Sequence, residues 1–261
     1  MRYVTLYLAF LRFSFSRAME FRLDFFFRFV MDLAYYGVNV VLFETLFLHT
    51  DTLGGWDIHE ARVFMAGFLV VDAINMTVFS NNFYWLPTYI NRGDLDYYLV
   101  RPVSSLFFLT LRDFAANSFM NLLCAVGILV WALAGNPDPL PLARLPVFAL
   151  ALVCGALIHA MIHMLTILPS FWFESSGGLQ VLFYNMARLM ERPDRIYTGA
   201  VRILLTTVLP FALIASFPAR FFWEGLDAGL LAHFLAVMAG LGGLVLLLWK
   251  LGLRRYSSAS S

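Results

Sequence analysis

Two long stretches without a charged residue constrain this chain more than any other feature of its sequence. Residues 114–134 and residues 145–173 contain no Asp, Glu, Lys or Arg. About 20 apolar residues in helical form cross the hydrocarbon core of a bilayer, so either stretch is long enough. Composition agrees, because 61% of the 261 residues are hydrophobic and 13% are charged, whereas soluble domains carry about 25% charged residues. The chain is therefore predicted to be an integral membrane protein.

Six apolar segments predict an all-α polytopic membrane protein with a single transmembrane domain over residues 1–261. The polar connections between the segments contain Gly and Pro, and the connection 135–146 holds four prolines. The fifth segment is short, and Pro210 and Pro218 interrupt or end it. Residues 217–229 are therefore expected to form a broken or re-entrant element. The predicted spans are approximately 25–48, 62–86, 106–134, 146–170, 203–217 and 230–251.

Residues 1–18 are predicted to form an amphipathic helix that lies on the membrane surface. Polar and small side chains recur at spacings of three and four, which places them on one helical face. Aliphatic and aromatic side chains occupy the rest of the helix surface, as in interfacial helices. A simple extension of the first span is the alternative. The polar face consists of Arg2, Thr5, Ala9, Arg12 and Ser16.

The distribution of Lys and Arg predicts which way the chain crosses the membrane. When alternate connections are assigned to opposite sides, one side receives 15 of the 18 basic residues. That side holds both termini and the connections 87–103 and 174–202, the second with an expected short amphipathic helix at 179–190. Cytoplasmic loops carry the excess of Lys and Arg, so both termini are predicted to be cytoplasmic. The basic residues on the other side are Arg62, Arg144 and Arg220.

The sequence offers no motif for catalysis in this chain. A P-loop needs a Gly-rich turn followed by GK[ST], and the single lysine is Lys250. ATP hydrolysis is therefore expected in a partner subunit, and no cofactor or metal site is predicted here. His159 and His163 are four residues apart, but Ala160 stands where a zinc protease has its Glu. We interpret them as histidines of a packed interior, and the net charge of +1 gives no sign of a nucleic-acid partner.

Asp72 is the most unusual residue of the second predicted span, because it lies near the middle of an apolar stretch. A carboxylate at that depth costs about 2.5–3.5 kcal/mol on insertion scales, and such residues usually face a partner or a pathway. Asn75 follows on the same helical face, and Asn39 adds a polar group at comparable depth in the first span. Two interpretations stay open: hydrogen bonds between spans, or a substrate pathway that includes Asp72, Asn75 and Asn39.

The connection after the second span carries the most recognisable motif of the chain. Residues 91–103 read NRGDLDYYLVRPV. They resemble the segment G-x-[LI]-[DE]-x-x-L-x-[RK]-P of ABC-2 family permeases. More narrowly, the chain resembles the six-span bacterial branch of that family long described as a domain of unknown function. The resemblance extends over the whole chain, from the basic amphipathic helix through the six spans.

The resemblance implies the membrane-spanning permease subunit of an ATP-driven exporter in the bacterial inner membrane. In ABC-2 permeases this loop forms a coupling helix, which sits in a cleft of a separate ATPase subunit that binds ATP and Mg. A homodimer or a heterodimer with a second permease is also implied, as is a small organic, drug-like or lipid-like substrate. The residues that correspond to the ATPase-coupling segment are Arg92, Gly93, Asp94, Leu95, Asp96, Tyr97, Arg101 and Pro102.

The residues of this loop are themselves compatible with a helix that binds a partner. A short helix that begins after Gly93 would hold two aspartates near its N-terminus, where the helix dipole favours carboxylates. Leu95, Tyr98 and Leu99 would share one apolar face and are expected to enter a groove of the partner. An ordinary amphipathic connector on lipid headgroups is the alternative.

Two other classes of function compete with the permease. One is an ion-coupled secondary transporter in which Asp72 and Glu44 carry protons, but such folds are commonly built from internal repeats, and none is visible here. The other is a membrane protein without transport activity, either a structural subunit or an enzyme. A neighbouring gene for a P-loop ATPase without membrane spans would favour the permease.

The predicted orientation can be tested by labelling introduced cysteines in intact cells. Ser258→Cys should be shielded from a membrane-impermeant thiol reagent, because the C-terminus is predicted to be cytoplasmic. Gly54→Cys should be labelled. The reverse pattern would overturn the orientation.

Overall fold

The structure is a computed structural model that describes residues 2–20, 22–137, 139–173 and 177–256. Within these ranges the regular structure is helical, apart from a single isolated bridge in one loop. The predicted all-α class is confirmed. The α-helices are α1 Arg2–Glu20, α2 Arg22–Phe47, α3 Ile58–Asn75, α4 Asn81–Arg92, α5 Asp96–Leu99, α6 Ser105–Leu111, α7 Ala116–Ala134, α8 Leu145–Ile167, α9 Gly177–Ala187, α10 Gly199–Thr207, α11 Ala212–Trp223 and α12 Ala228–Arg255.

Five of the described helical segments are long and apolar enough to cross a membrane, and one bent pair of helices would make a sixth. This confirms the prediction of a polytopic membrane protein. Short 3-10 turns extend some of the helices or connect them. The five segments are Phe25–Phe47, Ile58–Arg92, Ala116–Ala134, Leu142–Phe171 and Ala228–Arg255.

The second span forms the centre of the bundle. In its most apolar stretch 67% of the residues are buried, against 11% in α2 and 17% in α12. Helix α3 packs against α2, α7, α8 and α11. The exposed faces of α2 and α12 are apolar, and contiguous apolar surface of this kind is suited to lipid or to another membrane subunit.

Local interactions define both ends of this central span. At its start, the Asp57 carboxylate accepts hydrogen bonds from the backbone N–H groups of His59 and Glu60 at 2.8 and 2.9 Å. The Glu60 carboxylate returns one bond to the Asp57 N–H at 3.2 Å, which completes a capping box. Pro87 does not end the helix, which continues to Arg92. It stops at Gly93, whose φ of +79° favours glycine.

The third predicted span, 106–134, is divided in the structure. Helix α6 ends before Arg112, and the membrane-crossing part is α7 alone. The break occurs because other elements supply partners for the backbone of this segment. The N–H of Phe114 donates to the Ser14 hydroxyl at 3.1 Å, and the N–H of Ala115 donates to the Thr77 carbonyl at 2.8 Å. Tertiary hydrogen bonds thus replace the helical ones.

The fifth predicted span, 203–217, is not one continuous helix. Helices α10 and α11 meet at an angle of 92°, with Pro210 in the break between them. The expectation of a broken or re-entrant element near here agrees with this geometry, although the bend lies earlier than residues 217–229. Pro218, in contrast, lies inside α11 and does not end it.

The reason that Pro218 is tolerated lies in the packing of α11 against α8. Proline lacks an N–H, so the carbonyl of Ile214, four residues earlier, loses its intrahelical donor. A Cβ atom on Gly155 of α8 would collide with that carbonyl oxygen. The absent side chain therefore lets the two helices approach closely at the position where the helical hydrogen bond is missing.

One end of the bundle, here called the Arg144 end, contains the loop 49–57. A Cβ atom on Gly54 would lie 3.1 Å from the Cβ of Arg195. Arg195 pairs with Glu224 at 2.5 Å. Arg144 donates to the carbonyl of Trp223 at 2.8 Å. These contacts bring together four segments that are distant in sequence.

The opposite end, called the Arg92 end, contains the loop 93–102 and both ends of the described chain. The Ser104 N–H donates to the Tyr3 hydroxyl of α1 at 3.3 Å. Tyr256 packs on the same apolar cluster as Leu95. The N-terminal helix α1 lies along this end and buries Ser14, while the side chains of its predicted polar face from Thr5 to Ser16 are exposed.

The prediction that the connection 174–202 lies wholly on the side of the termini is wrong. Residues 174–176 are outside the described residues, but Arg195 lies at the Arg144 end, and Arg202 pairs with Asp194 beside it at 3.2 Å. The chain from Gly177 to Glu191 therefore runs between the two ends. Helix α9 has 11 residues, of which Phe183 is buried and several large apolar residues are exposed, so the passage is too short for the run of about 20 apolar residues that hydropathy detects. Arg192, Arg195 and Arg202 then belong to the Arg144 end and Arg188 lies within the crossing stretch, so the basic split becomes 11 against 6.

Replacing Gly155 by Ala should destabilise the fold by about 1–3 kcal/mol, the usual cost of overpacking. The added methyl group would meet a backbone carbonyl that cannot rotate away. Thermal unfolding of the detergent-solubilised protein measures the effect. Gly127→Ala is the matched control, because nothing lies within 4 Å of its Cβ position and Ala favours helices. Equal melting temperatures for the two variants would contradict this packing.

The relation between the two ends can be tested without assuming which faces the cytoplasm. In a chain with Cys124 and Cys154 replaced by Ala, Thr198→Cys and Asp51→Cys should be labelled from the same side. Both positions are exposed. Asp51 is preferable to Gly54, whose φ of +61° and contact with Arg195 would strain a cysteine. Asp94→Cys should be labelled from the other side, and labelling of Thr198→Cys together with it would refute the arrangement.

Candidate functional site

A cavity of about 220 Å³ lies inside the bundle between α2, α3, α8 and α9. Asp72 on α3 and Glu191, in the 3-10 turn Arg188–Glu191 that follows α9, place two carboxylates in its wall. Aromatic rings form much of the remaining surface. They belong to Tyr35, Phe68, Phe79, Phe183 and Tyr184.

Asp72 lies in a buried environment with other carboxylates nearby. Its Oδ2 atom is buried and has no hydrogen-bond partner among the described residues. The carboxylates of Asp32 and Glu191 are close enough to add negative potential at Asp72. Arg188 also lines the cavity but forms no ion pair with Asp72 in the described structure. The site is therefore polar and carries more negative than positive side chains.

The two asparagines predicted to accompany Asp72 are placed differently. Asn75 lines the cavity, but its Nδ2 donates to the carbonyls of Val71 at 3.2 Å and Ala156 at 3.1 Å, which connects α3 to α8. Asn39 is buried, and its Nδ2 donates to the Tyr35 carbonyl one turn earlier at 3.0 Å. It does not line the cavity, so the structure brings Asp72 and Asn75 together without Asn39.

The two histidines of α8 pack against an aromatic ring. The His163 ring stacks on Phe183 at a centroid distance of 4.4 Å and an interplanar angle of 8°. His159 stacks on the same ring at 5.7 Å. Both are buried at 8% exposure, as expected for histidines of a packed interior. Among the described residues no three His, Cys, Asp or Glu side chains are grouped to hold a metal ion.

Glu44, the other carboxylate considered as a proton carrier, is already paired. Arg62 donates to both of its carboxylate oxygens at 2.6 Å, a bidentate arrangement. Such pairs are strong and geometrically specific. Glu44 is thus engaged in connecting α2 to α3 and does not line the cavity.

A π-helical turn, Met76–Ser80, separates α3 from α4 and forms part of the cavity wall. Such turns are rare and occur often at functional sites. A larger crevice of about 780 Å³ lies beside the turn and extends toward the Arg92 end, where Arg17 of α1 pairs with Asp113. Met76, Ser80 and Tyr184 line both spaces. The inner cavity is therefore adjacent to an open crevice.

The second candidate site is the loop 93–102 at the Arg92 end. The expectation that Leu95 and Tyr98 face a partner is wrong, because both are buried within this chain, Leu95 completely. The helix in the loop is only the four residues of α5, and its outward side presents Tyr97 at 63% exposure and Val100 at 81%. The other exposed residues of the loop and its edges are Asn91, Arg92, Asp94, Leu99 and Pro102.

Two arginines stack on the tyrosines of this loop and its neighbouring helix. Arg112 donates to the hydroxyls of Tyr98 and Tyr89, the latter at 2.6 Å, and its guanidinium lies over both rings. Arg101 lies over the ring of Tyr97 at 4.5 Å. Arginine combines planar stacking with several N–H donors, so it suits a scaffold of tyrosines. Arg101 is thus a supporting residue of the exposed surface.

Sequence reasoning missed several residues of the inner cavity. Tyr35 belongs to α2, whereas Phe183 and Glu191 belong to the stretch 177–191, and none is unusual in its own segment. The available signal was a lone acidic residue at the end of the amphipathic stretch 179–190. Glu191 reaches the cavity because the stretch 177–191 runs back through the bundle, and hydropathy did not indicate that passage.

A known protein family matches most of this chain. The family model described as ABC-2 family transporter protein covers residues 33–260. This agrees with the resemblance seen in residues 91–103. No curated protein and no solved structure matches the chain.

Proposed function

Because this chain belongs to the ABC-2 transporter family, we propose that it is the permease subunit of an ATP-driven exporter. As a member of this family, the chain is the multi-pass membrane permease of an ABC transporter. Such a permease is a non-catalytic component that generally works with an ABC ATPase. The coupling surface, the orientation, the direction and the dimer are proposals. The observation that carries the coupling surface is the loop 93–102, which presents Tyr97 and Val100 outward.

The outward strip of this loop is proposed to dock on the ATPase. Tyr97 and Val100 are large apolar side chains exposed on a polar end of the protein, and aromatic anchors of this kind dominate the energetics of many interfaces. Arg92 and Asp94 flank them and supply charges at the rim. Leu95 supports the surface from inside.

The coupling itself requires that force applied to the loop reach the spans. Arg112 links Tyr98 of the loop to Tyr89 of α4, and α4 is continuous with α3 through the π-helical turn. Movement of the ATPase would thus be transmitted along the central span to the level of Asp72. Binding and hydrolysis of ATP, with Mg²⁺, are assigned to the partner subunit.

The Arg92 end is proposed to face the cytoplasm of a bacterial cell, with the protein in the inner membrane. This end holds α1, the loop 93–102 and the last described turn of α12. The corrected basic split of 11 against 6 still favours it. Both termini are then cytoplasmic, and the ATPase reaches its docking surface.

Export is supported by the position of the crevice. It opens toward the Arg92 end, so a substrate would enter from the cytoplasm or the inner leaflet. A homodimer, or a heterodimer with a second permease, is proposed to form in the bilayer through exposed apolar helices such as α2. The substrate is proposed to be a small organic, drug-like or lipid-like compound.

If the loop docks on the ATPase, variants of its exposed side chains should lose ATPase binding, whereas variants of its buried side chains should lose folded protein. The chain should copurify from detergent-solubilised native membranes with a P-loop ATPase and with vanadate-sensitive ATP hydrolysis. Val100→Asp or Tyr97→Ala should weaken ATPase binding by at least about tenfold, or about 1.4 kcal/mol. Neither should lower the amount of folded permease, because both side chains are exposed.

Leu226→Asp is the matched control, because Leu226 is 54% exposed and lies beside the Arg144 end. It should leave ATPase binding intact. Leu95→Asp should instead lower the yield of folded protein, since it buries a charge in an apolar cluster. Full ATPase association by folded Val100→Asp and Tyr97→Ala would refute the docking assignment.

A further inference from the structure

We propose that the inner cavity binds a small organic cation with an apolar body, and that the crevice beside the π-helical turn is its access path. This inference rests on the proposed function, because it names the substrate class of the exporter. The binding step itself involves this chain alone and requires no ATPase. It can therefore fail or succeed separately from the docking surface.

Charge is the first reason for a cation. Asp72 places an unpartnered carboxylate oxygen in the cavity, and Glu191 adds a second carboxylate to the wall. Arg188 is the one Lys or Arg side chain among the lining residues, so the described wall has an excess of negative side chains. An uncompensated buried charge is costly. A bound cation would neutralise Asp72, whereas an anion would be repelled.

The aromatic wall is the second reason. Cations are attracted to the faces of aromatic rings, and quaternary ammonium groups are recognised by aromatic cages. Tyr35, Phe79, Phe183 and Tyr184 supply such rings around the carboxylates. The same rings pack well against an aliphatic or aromatic body. A metal ion or a hydrated inorganic cation would not use this surface.

The volume limits the size of the ligand. Pockets for drug-sized ligands are about 300–1,000 Å³, and this cavity is about 220 Å³. Without a ligand it has room for several waters, at about 30 Å³ each. Those waters would solvate Asp72 and leave when the cation enters. A compound with one charged centre and one ring fits this space.

The access path follows from the shared wall. Met76, Ser80 and Tyr184 border both the cavity and the crevice of about 780 Å³. Two of them, Met76 and Ser80, belong to the π-helical turn, so a change in that turn would alter the opening between the two spaces. The Arg17–Asp113 pair marks the outer part of the path.

The test is equilibrium dialysis of labelled benzyltrimethylammonium against the purified full chain in lipid nanodiscs, with empty nanodiscs subtracted. The chain should bind it saturably at one site. Asp72→Asn should weaken binding by at least about tenfold, which corresponds to about 1.4 kcal/mol, while Asp72→Glu should keep most of the affinity. Asp51→Asn, an equal change of charge in an exposed loop, should have no effect.

A neutral ligand and a second cavity variant keep the test decisive even if the Asp72→Asn variant does not fold. The carbon isostere of benzyltrimethylammonium has the same shape without charge, and it should bind far more weakly to the wild-type chain. Ala187→Leu narrows the cavity without changing its charge and should reduce binding of the cation. The proposal is overturned if the cation does not bind saturably, if the isostere binds equally, or if folded Asp72→Asn and Ala187→Leu both bind like the wild type. ATPase association unchanged in these variants would leave the docking surface standing.

Discussion

The absence of water from the hydrocarbon core requires that every backbone polar group in the bundle find a partner inside the protein. The structure meets this requirement in two ways. Most of the chain does so with continuous helix, and hydrogen bonds in turns and between elements serve where a helix is interrupted. The broken pair of α10 and α11 is one exception, and the end of α6 is another. At the second, Ser14 and Thr77 accept the N–H groups that the helix no longer uses.

The same constraint explains why the central span contains the features of interest. A span that faces protein can hold a carboxylate, an asparagine and a π-helical turn, whereas α2 and α12 present apolar side chains outward. Asp72 lies close to that turn, and the turn separates the cavity from the crevice. Toward the Arg92 end, Arg112 connects α4 to the exposed loop 93–102. One helix thus joins the proposed ATPase surface to the proposed binding cavity.

The loop 93–102 shows how a motif can be found correctly and its contacts misjudged. Its position after the second span and its ending at Arg101-Pro102 are visible in the letters of the sequence. The direction of its apolar side chains is not, because α5 is too short to show a clear periodicity. Leu95 turned inward and Tyr97 outward, since the bundle already offers an apolar cluster on one side of the loop.

The sequence by itself determined the all-α membrane class, the position of the loop and the presence of a carboxylate, Asp72, in an apolar stretch. These follow from local composition. A long apolar segment favours the bilayer, and a charge in such a segment is costly there, whichever helices become its neighbours. Only the tertiary structure decided that residues 177–191 return through the bundle, that the fifth predicted span bends, and that Glu191 joins Asp72. Each of these depends on which helices are neighbours. The helix of the stretch 177–191 has 11 residues, well below the run of about 20 apolar residues by which hydropathy recognises a span, so hydropathy contains no signal for it.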